Sequence, residues 1–149
     1  MAGEGLLMRT VLLAMVCLLG CGGGGGDAVS KFTGTWEVIG TRTGTCSDGS
    51  TATPVSSTGQ VLVTEGTTSD LVRAGKTAMA CPIPLNVSGN RATLGGTATC
   101  TDDDGNTLQF LTWTLTVDGD SGSETGTATV AIPAAGGSCN LSFSATLTR

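Results

Sequence analysis

The chain of 149 residues has no histidine and no tyrosine. Histidine is the side chain that titrates nearest neutral pH, so its absence removes the Ser-His-Asp triad, the Cys-His pair and imidazole metal coordination. Aromatic residues make up 3% of the sequence. The 6 cysteines never fall in a C-x-x-C pair, the close spacing that a zinc site needs. A formal charge of −5 leaves no basic face to neutralise phosphates, which argues against a nucleic-acid partner. The longest apolar run is too short to cross a hydrocarbon core of ~30 Å as a helix. From Lys31 onward no stretch repeats apolar residues with the helical period. A chain of this length allows one domain.

What is present begins at the N-terminus. Arg9 precedes an apolar run that ends at Gly20, followed by Cys21. That is the length of a secretory leader. Leu18-Leu19-Gly20-Cys21 resembles the lipobox of bacterial lipoproteins, with Leu three before the Cys and Gly one before. The resemblance implies a diacylglyceryl thioether on Cys21, cleavage after Gly20 and an acylated new N-terminus. The alternative is an ordinary secretory leader with a chance cysteine. Glu4 is unusual in a leader, and a translation start at Met8 gives a cleaner one; a precursor peptide containing Glu4 would exclude that start. Each buried CH₂ of an acyl chain contributes about 0.8 kcal/mol, so two or three chains hold where one is marginal. The resemblance thus makes residues 1–20 a signal peptide and 21–30 an acylated tether. Gly22–Ser30 is expected to be coil, because the glycines lose much entropy on ordering, with a reach of ~15–18 Å. No Gly-Lys-Ser/Thr follows the glycines, so they are not a P-loop. Gly22, where inner-membrane retention often uses Asp, resembles outer-membrane sorting.

With Cys17 in the leader and Cys21 acylated, four cysteines remain in residues 31–149: Cys46, Cys81, Cys100 and Cys139. An even number in an exported domain implies disulfides. The body of the chain alternates with period two. Expected strands are Thr35–Cys46, Gln60–Glu65, Ser69–Arg73, Met79–Val87, Arg91–Cys100, Leu111–Val117, Thr125–Ile132 and Cys139–Thr148. Apolar residues take one face; Thr and Ser take most of the other. Turn signals such as Ser88-Gly89-Asn90, Asp104-Gly105-Asn106 and Asp118-Gly119-Asp120 separate the later ones. The expected fold is all-β, an antiparallel up-and-down meander of about eight strands closed into a small barrel, with a β-sandwich as the alternative. If first and last strands pair with Cys46 opposite Cys139, Val38 falls opposite Leu147 and Trp36 opposite Arg149. The apolar sets then share a face, which favours closure with a Cys46–Cys139 bridge. Cys81 and Cys100 share a face of one hairpin but lie diagonally, at ~7 Å. A bulge at Gly95-Gly96 is expected to shift the register and let them pair.

Lys31-Phe32-Thr33-Gly34-Thr35-Trp36 resembles the K-F-x-G-x-W opening of lipocalins and is similar to the L-T-G-T-W opening of avidin-type barrels. The lipocalin likeness implies a Trp36 that closes the barrel base and Arg149 stacked over it. The later lipocalin motifs are missing, and of the aromatic residues an avidin-type site wants, only Trp36 and Trp113 stand here.

The inward set includes Trp36, Val38, Met79, Leu85, Leu94, Trp113 and Phe143. Trp36 and Trp113 are either plain core or ligand-facing. Arg42 has inward parity between Gly40 and Gly44, where it either receives an anion at a barrel mouth or snorkels past the strand end. The two Asp-Gly loops read first as hairpin turns and second as calcium ligands without a full motif. The sequons at Asn86 and Asn140 read as chance in a bacterial protein. No catalytic residue, metal ligand or cofactor is assigned. The expected function is a lipid-anchored, non-catalytic envelope module, exported and more readily placed at the outer than the inner membrane. Its partners are the membrane, envelope proteins or polysaccharide, and no nucleic acid. The alternatives are a lipocalin- or avidin-like barrel for an unknown small ligand, and a paired-carboxylate hydrolase.

Overall fold

The computed structural model describes residues 25–75, 81–102 and 104–149. The expected signal peptide 1–20, the expected start at Met8, the expected acylation of Cys21 and the expected inward position of Met79 lie outside the described residues. Among the described residues a short helix α1 (Gly25–Ser30) precedes nine strands. These are β1 (Gly34–Cys46), β2 (Thr51–Glu65), β3 (Leu71–Gly75), β4 (Ile83–Ser88), β5 (Arg91–Leu94), β6 (Ala98–Thr101), β7 (Thr107–Asp118), β8 (Ser121–Ile132) and β9 (Gly137–Thr148). All pairings are antiparallel, and together they make one sheet in a meander. Pairing of β1 with β9 and of β5 with β7 turns the sheet into a ring. Among the described residues no helix is long and apolar enough to cross a membrane.

The alternation sets the register at the closure. Cys46 stands opposite Cys139 and Val38 opposite Leu147, as the parity of the two strands requires. The strand expected over Arg91–Cys100 is interrupted. β5 and β6 lie end to end on one edge of β7, with Thr93 opposite Thr114 and Ala98 opposite Phe110. Gly95-Gly96-Thr97 separates them, where glycine weakens the ladder and permits the shift. The ring therefore holds eight strand positions although nine strands form. β7 has its own irregularity between Phe110 and Thr112. Leu111, expected inward, is 53% exposed there, because the extra residue turns outward and lets Phe110 resume the inner face.

β2 is far longer than the expected Gln60–Glu65. Its first ten residues are exposed on both faces, so no apolar alternation marks them. They pair with β1, with a register shift between Arg42 and Gly44 opposite the segment that holds Pro54. Proline lacks the N–H that a regular ladder would use. The five strands β1, β2, β7, β8 and β9 run 12 to 15 residues. β3, β4 and β5 run 4 to 6. Because β3 pairs the Val61–Glu65 end of β2, the short strands complete the ring at the end where β1 begins.

That end holds the core. Phe32, Trp36, Leu71, Ile83, Leu85, Leu115 and Leu147 are each no more than 1% exposed. Burying one such side chain contributes roughly 1.5–3 kcal/mol. α1 corrects the expectation of coil, since Gly25–Ser30 lies inside the stretch read as tether. Val29 packs against the core, and its carbonyl accepts the Phe32 N–H at 3.0 Å. Apolar contact offsets the entropy that Gly25 and Gly26 lose.

Candidate functional site

Inward parity brings two charges inside the ring. Arg73 stands two residues after Leu71 on β3, and Glu124 two before Gly126 on β8. Arg73 Nη2 donates to Glu124 Oε1 at 2.6 Å, and Nε to Oε2 at 3.3 Å. The Glu124 side chain is 3% exposed and the Arg73 side chain 14%. The guanidinium lies over the Trp113 ring, 4.7 Å from its centroid. Trp113 in turn packs at 4.4 Å on Phe143 and at 5.2 Å on Phe110. Burial raises the Glu124 pKa, opposed first by the charge of Arg73, then by its hydrogen bond, and then by the Trp113 N–H. That indole N–H sits close enough to favour the carboxylate, yet Nε1 makes no hydrogen bond of ordinary geometry. The strand expected over Thr125–Ile132 begins one residue after Glu124, and Gly126 has its inward parity. Extending the same parity by two residues would have found Glu124.

Trp36 and Trp113 belong to one core cluster but have different polar partners. Trp36 lies at the α1 end, fully buried, and donates from Nε1 to the Phe32 carbonyl at 2.8 Å. Arg149 stacks over it at 4.4 Å, the contact that the lipocalin likeness implied. The same guanidinium donates to the carbonyls of Thr33, Lys31 and Gly119 at 3.0 to 3.3 Å and pairs with Asp120 at 3.2 Å. Arg42 is exposed, opposite Phe143 in the β1–β9 ladder, and so belongs with the Trp113 group rather than with Trp36.

Cys46 and Cys139 are paired with Cα atoms 3.9 Å apart, and Cys81 and Cys100 with Cα atoms 5.7 Å apart. The second pair is reached because β6 leaves the β4 side after Gly95-Gly96 and runs along β7. Both Asp-Gly loops are turns. Asp102 Oδ1 accepts the N–H groups of Asp104 at 3.1 Å and Asn106 at 2.8 Å, and Oδ2 accepts the Asn106 side chain at 2.9 Å. The Asn106 side chain is the main reason that the Asp102 pKa lies below its ordinary 3.8. Gly119 adopts φ 59°, the left-handed conformation of its hairpin.

The outer face is different in kind. Across β2, β1, β9, β8 and β7, facing positions form a row of hydroxyls: Ser56, Thr41, Ser144, Thr125 and Thr114. A groove of about 320 Å³ crosses this face, lined by Ile39, Thr41, Ser56, Ser123, Thr125, Ser144 and Thr146, with Gly40, Ala145 and Glu124 along its floor. The Glu124 carboxylate itself is turned away, toward Arg73. Ile39 is 63% exposed within the groove. Thr41 and Ser144 hydroxyls stand 3.4 Å apart, and Thr146 reaches the Ile39 carbonyl at 3.4 Å. Just beyond the groove, Thr43 and Ser142 bond at 3.0 Å, and Thr112 and Thr127 at 2.8 Å. Composition alone shows many Thr and Ser but not this spacing, which depends on the register of four strands. No family model matches the chain, and no curated protein or solved structure matches it.

Proposed function

We propose that the chain is an exported, lipid-anchored envelope protein whose β-domain is a non-catalytic interaction module. The observation that carries this reading is the occupied interior. Trp36, Leu71, Leu85 and Leu115 fill the ring at the α1 end, and the buried carboxylate Glu124 is engaged by Arg73. An acid held against a guanidinium is poorly placed to exchange protons with a substrate. The leader and Leu18-Leu19-Gly20-Cys21 support export and acylation, and the two cysteine pairs suit an oxidising compartment. With α1 ordered from Gly25, only a few residues separate Cys21 from the domain. The α1 end then faces the membrane, and the long ends of β1, β2, β8 and β9 face away from it.

Labelling cells with a fatty acid tests the anchor. The wild-type chain should carry label and the Cys21→Ala variant none; equal label in both defeats the proposal. A second reading, a lipocalin- or avidin-like barrel for a small ligand, draws on the partly exposed Phe110 and Phe143 beside Trp113. An apolar fluorescent probe quenching Trp113 but not Trp36 would favour it.

A further inference from the structure

We propose that the outer groove over β1, β9 and β8 binds a neutral polysaccharide chain. This names the partner of the envelope module proposed above and rests on that reading for where the glycan is met.

Charge is the first argument. The chain carries −5 overall, yet the groove is lined by uncharged side chains apart from Glu124, whose carboxylate is turned to Arg73. Asp48, Asp102, Asp104, Asp118 and Asp120 lie in or beside turns, and Glu37, which shares the outer face two residues before Ile39, is engaged by the Gln60 side chain. A solvated protein face ordinarily mixes charges of both signs. An uncharged groove lining loses little on meeting a neutral polyol, whereas each unpaired charge buried there would cost desolvation energy. The same acidic balance repels acidic polysaccharides.

Hydrogen-bonding capacity is the second. A hydroxyl side chain both donates and accepts, as does every hydroxyl of a sugar. Inside the groove the Thr41–Ser144 hydroxyl pair and the Thr146 contact to the Ile39 carbonyl both stand at 3.4 Å, while the hydroxyl pairs Thr112–Thr127 and Thr43–Ser142 outside it close to 2.8 and 3.0 Å. Contacts that long are weak. Thr41, Ser144 and Thr146 can therefore exchange them for a ligand hydroxyl at little cost. Shape is the third. A volume of about 320 Å³ falls at the small end of ligand sites. Ile39 offers an exposed apolar surface for the C–H face of a sugar ring. The hydroxyl row continues past the groove to Thr114, where Arg91 Nη2 donates to the hydroxyl at 3.2 Å, so a following sugar of one chain meets a guanidinium as well as a hydroxyl. Binding by repeated weak contacts gains from avidity.

Titration calorimetry of the purified full chain tests this with four neutral glycans (dextran, amylose, laminarin and mannan) and with alginate as the acidic comparison. Thr41→Lys and Ser144→Lys place a charge in the groove from two strands; Thr99→Lys places the same charge on β6, outside it. Circular dichroism checks that each variant keeps its strands. The expected result is binding of at least one neutral glycan, unchanged in Thr99→Lys and weakened about tenfold or more in both groove variants, with no binding of alginate. The proposal is overturned by silence toward all four neutral glycans, by equal binding in the folded groove variants, or by alginate binding as well. Fatty-acid labelling at Cys21 is independent of every one of these outcomes, so loss of the glycan site leaves the anchor reading standing.

Discussion

Replacing Arg73 with Met leaves Glu124 buried with no cation against it. Removing one member of a buried ion pair costs about 3–5 kcal/mol when the other stays charged. Glu124 has an escape, because it can take up a proton. From its ordinary pKa of 4.5, protonation at pH 7 costs about 3 kcal/mol, at 1.36 kcal/mol per unit. At pH 5 the same step costs under about 1 kcal/mol. The penalty of Arg73→Met is therefore capped near 3 kcal/mol at pH 7 and falls below about 1 at pH 5. The sign follows from burial. Glu124 has a raised pKa in the folded chain, so its contribution to stability is full below 4.5 and is lost as pH rises through the folded value. Losing Arg73 raises that folded value further and extends the loss toward neutral pH. Urea unfolding at both pH values, followed by tryptophan fluorescence, measures the effect. The midpoint should drop at pH 7 and largely recover at pH 5. A second variant, Arg73→Met with Glu124→Leu, should lie near wild type at both, since an apolar pair of similar volume replaces the charges. An equal drop at both pH values, or a loss under about 1 kcal/mol at pH 7, would refute the reasoning.

Three further outcomes are expected. Cys46→Ser with Cys139→Ser opens a link across 93 residues, and should lower stability by about 4–5 kcal/mol in denaturant titrations against the oxidised chain. Gly40→Ala points a methyl at Ala145 Cβ, 2.7 Å away, and at the Ser144 carbonyl, 2.9 Å away, and should lower the thermal midpoint by an amount equivalent to about 1–3 kcal/mol. Asp102→Ala removes an acid whose pKa is lowered, chiefly by Asn106. Its stabilisation is present above 3.8 and lost as pH falls through the folded value, so the variant's acid-unfolding curve should be flatter below pH 4.

How much could be read beforehand depended on whether a residue's neighbours in sequence reported its environment. On β1 and β9 both faces alternate cleanly, so the pairing of Cys46 with Cys139 and of Val38 with Leu147 followed from parity alone. Thr51–Gln60 is exposed on both faces, so its strand had no apolar signal and only the β1 ladder orders it. Leu111 kept the right parity for the core, and the register shift in β7 undid it. Glu124 and Arg73 were legible in principle by the same parity. A single charge in a short or Thr-rich strand reads as solvated, and its partner is 51 residues away. The groove had no linear signal, since its hydroxyls come from four strands.

The closure of β1 on β9 also has a bearing on time. In a chain that emerges N-terminus first, β1 appears early and β9 last. Until then one edge of β1 has no mate, and the Cys46 thiol has no nearby Cys139 to meet. Contacts between distant parts of a chain are slow to form, because loop entropy must be spent before they reward it. The ring thus cannot close until β9 has emerged. A folding helper, or an oxidant that acts on thiols, would find its longest window at that open edge.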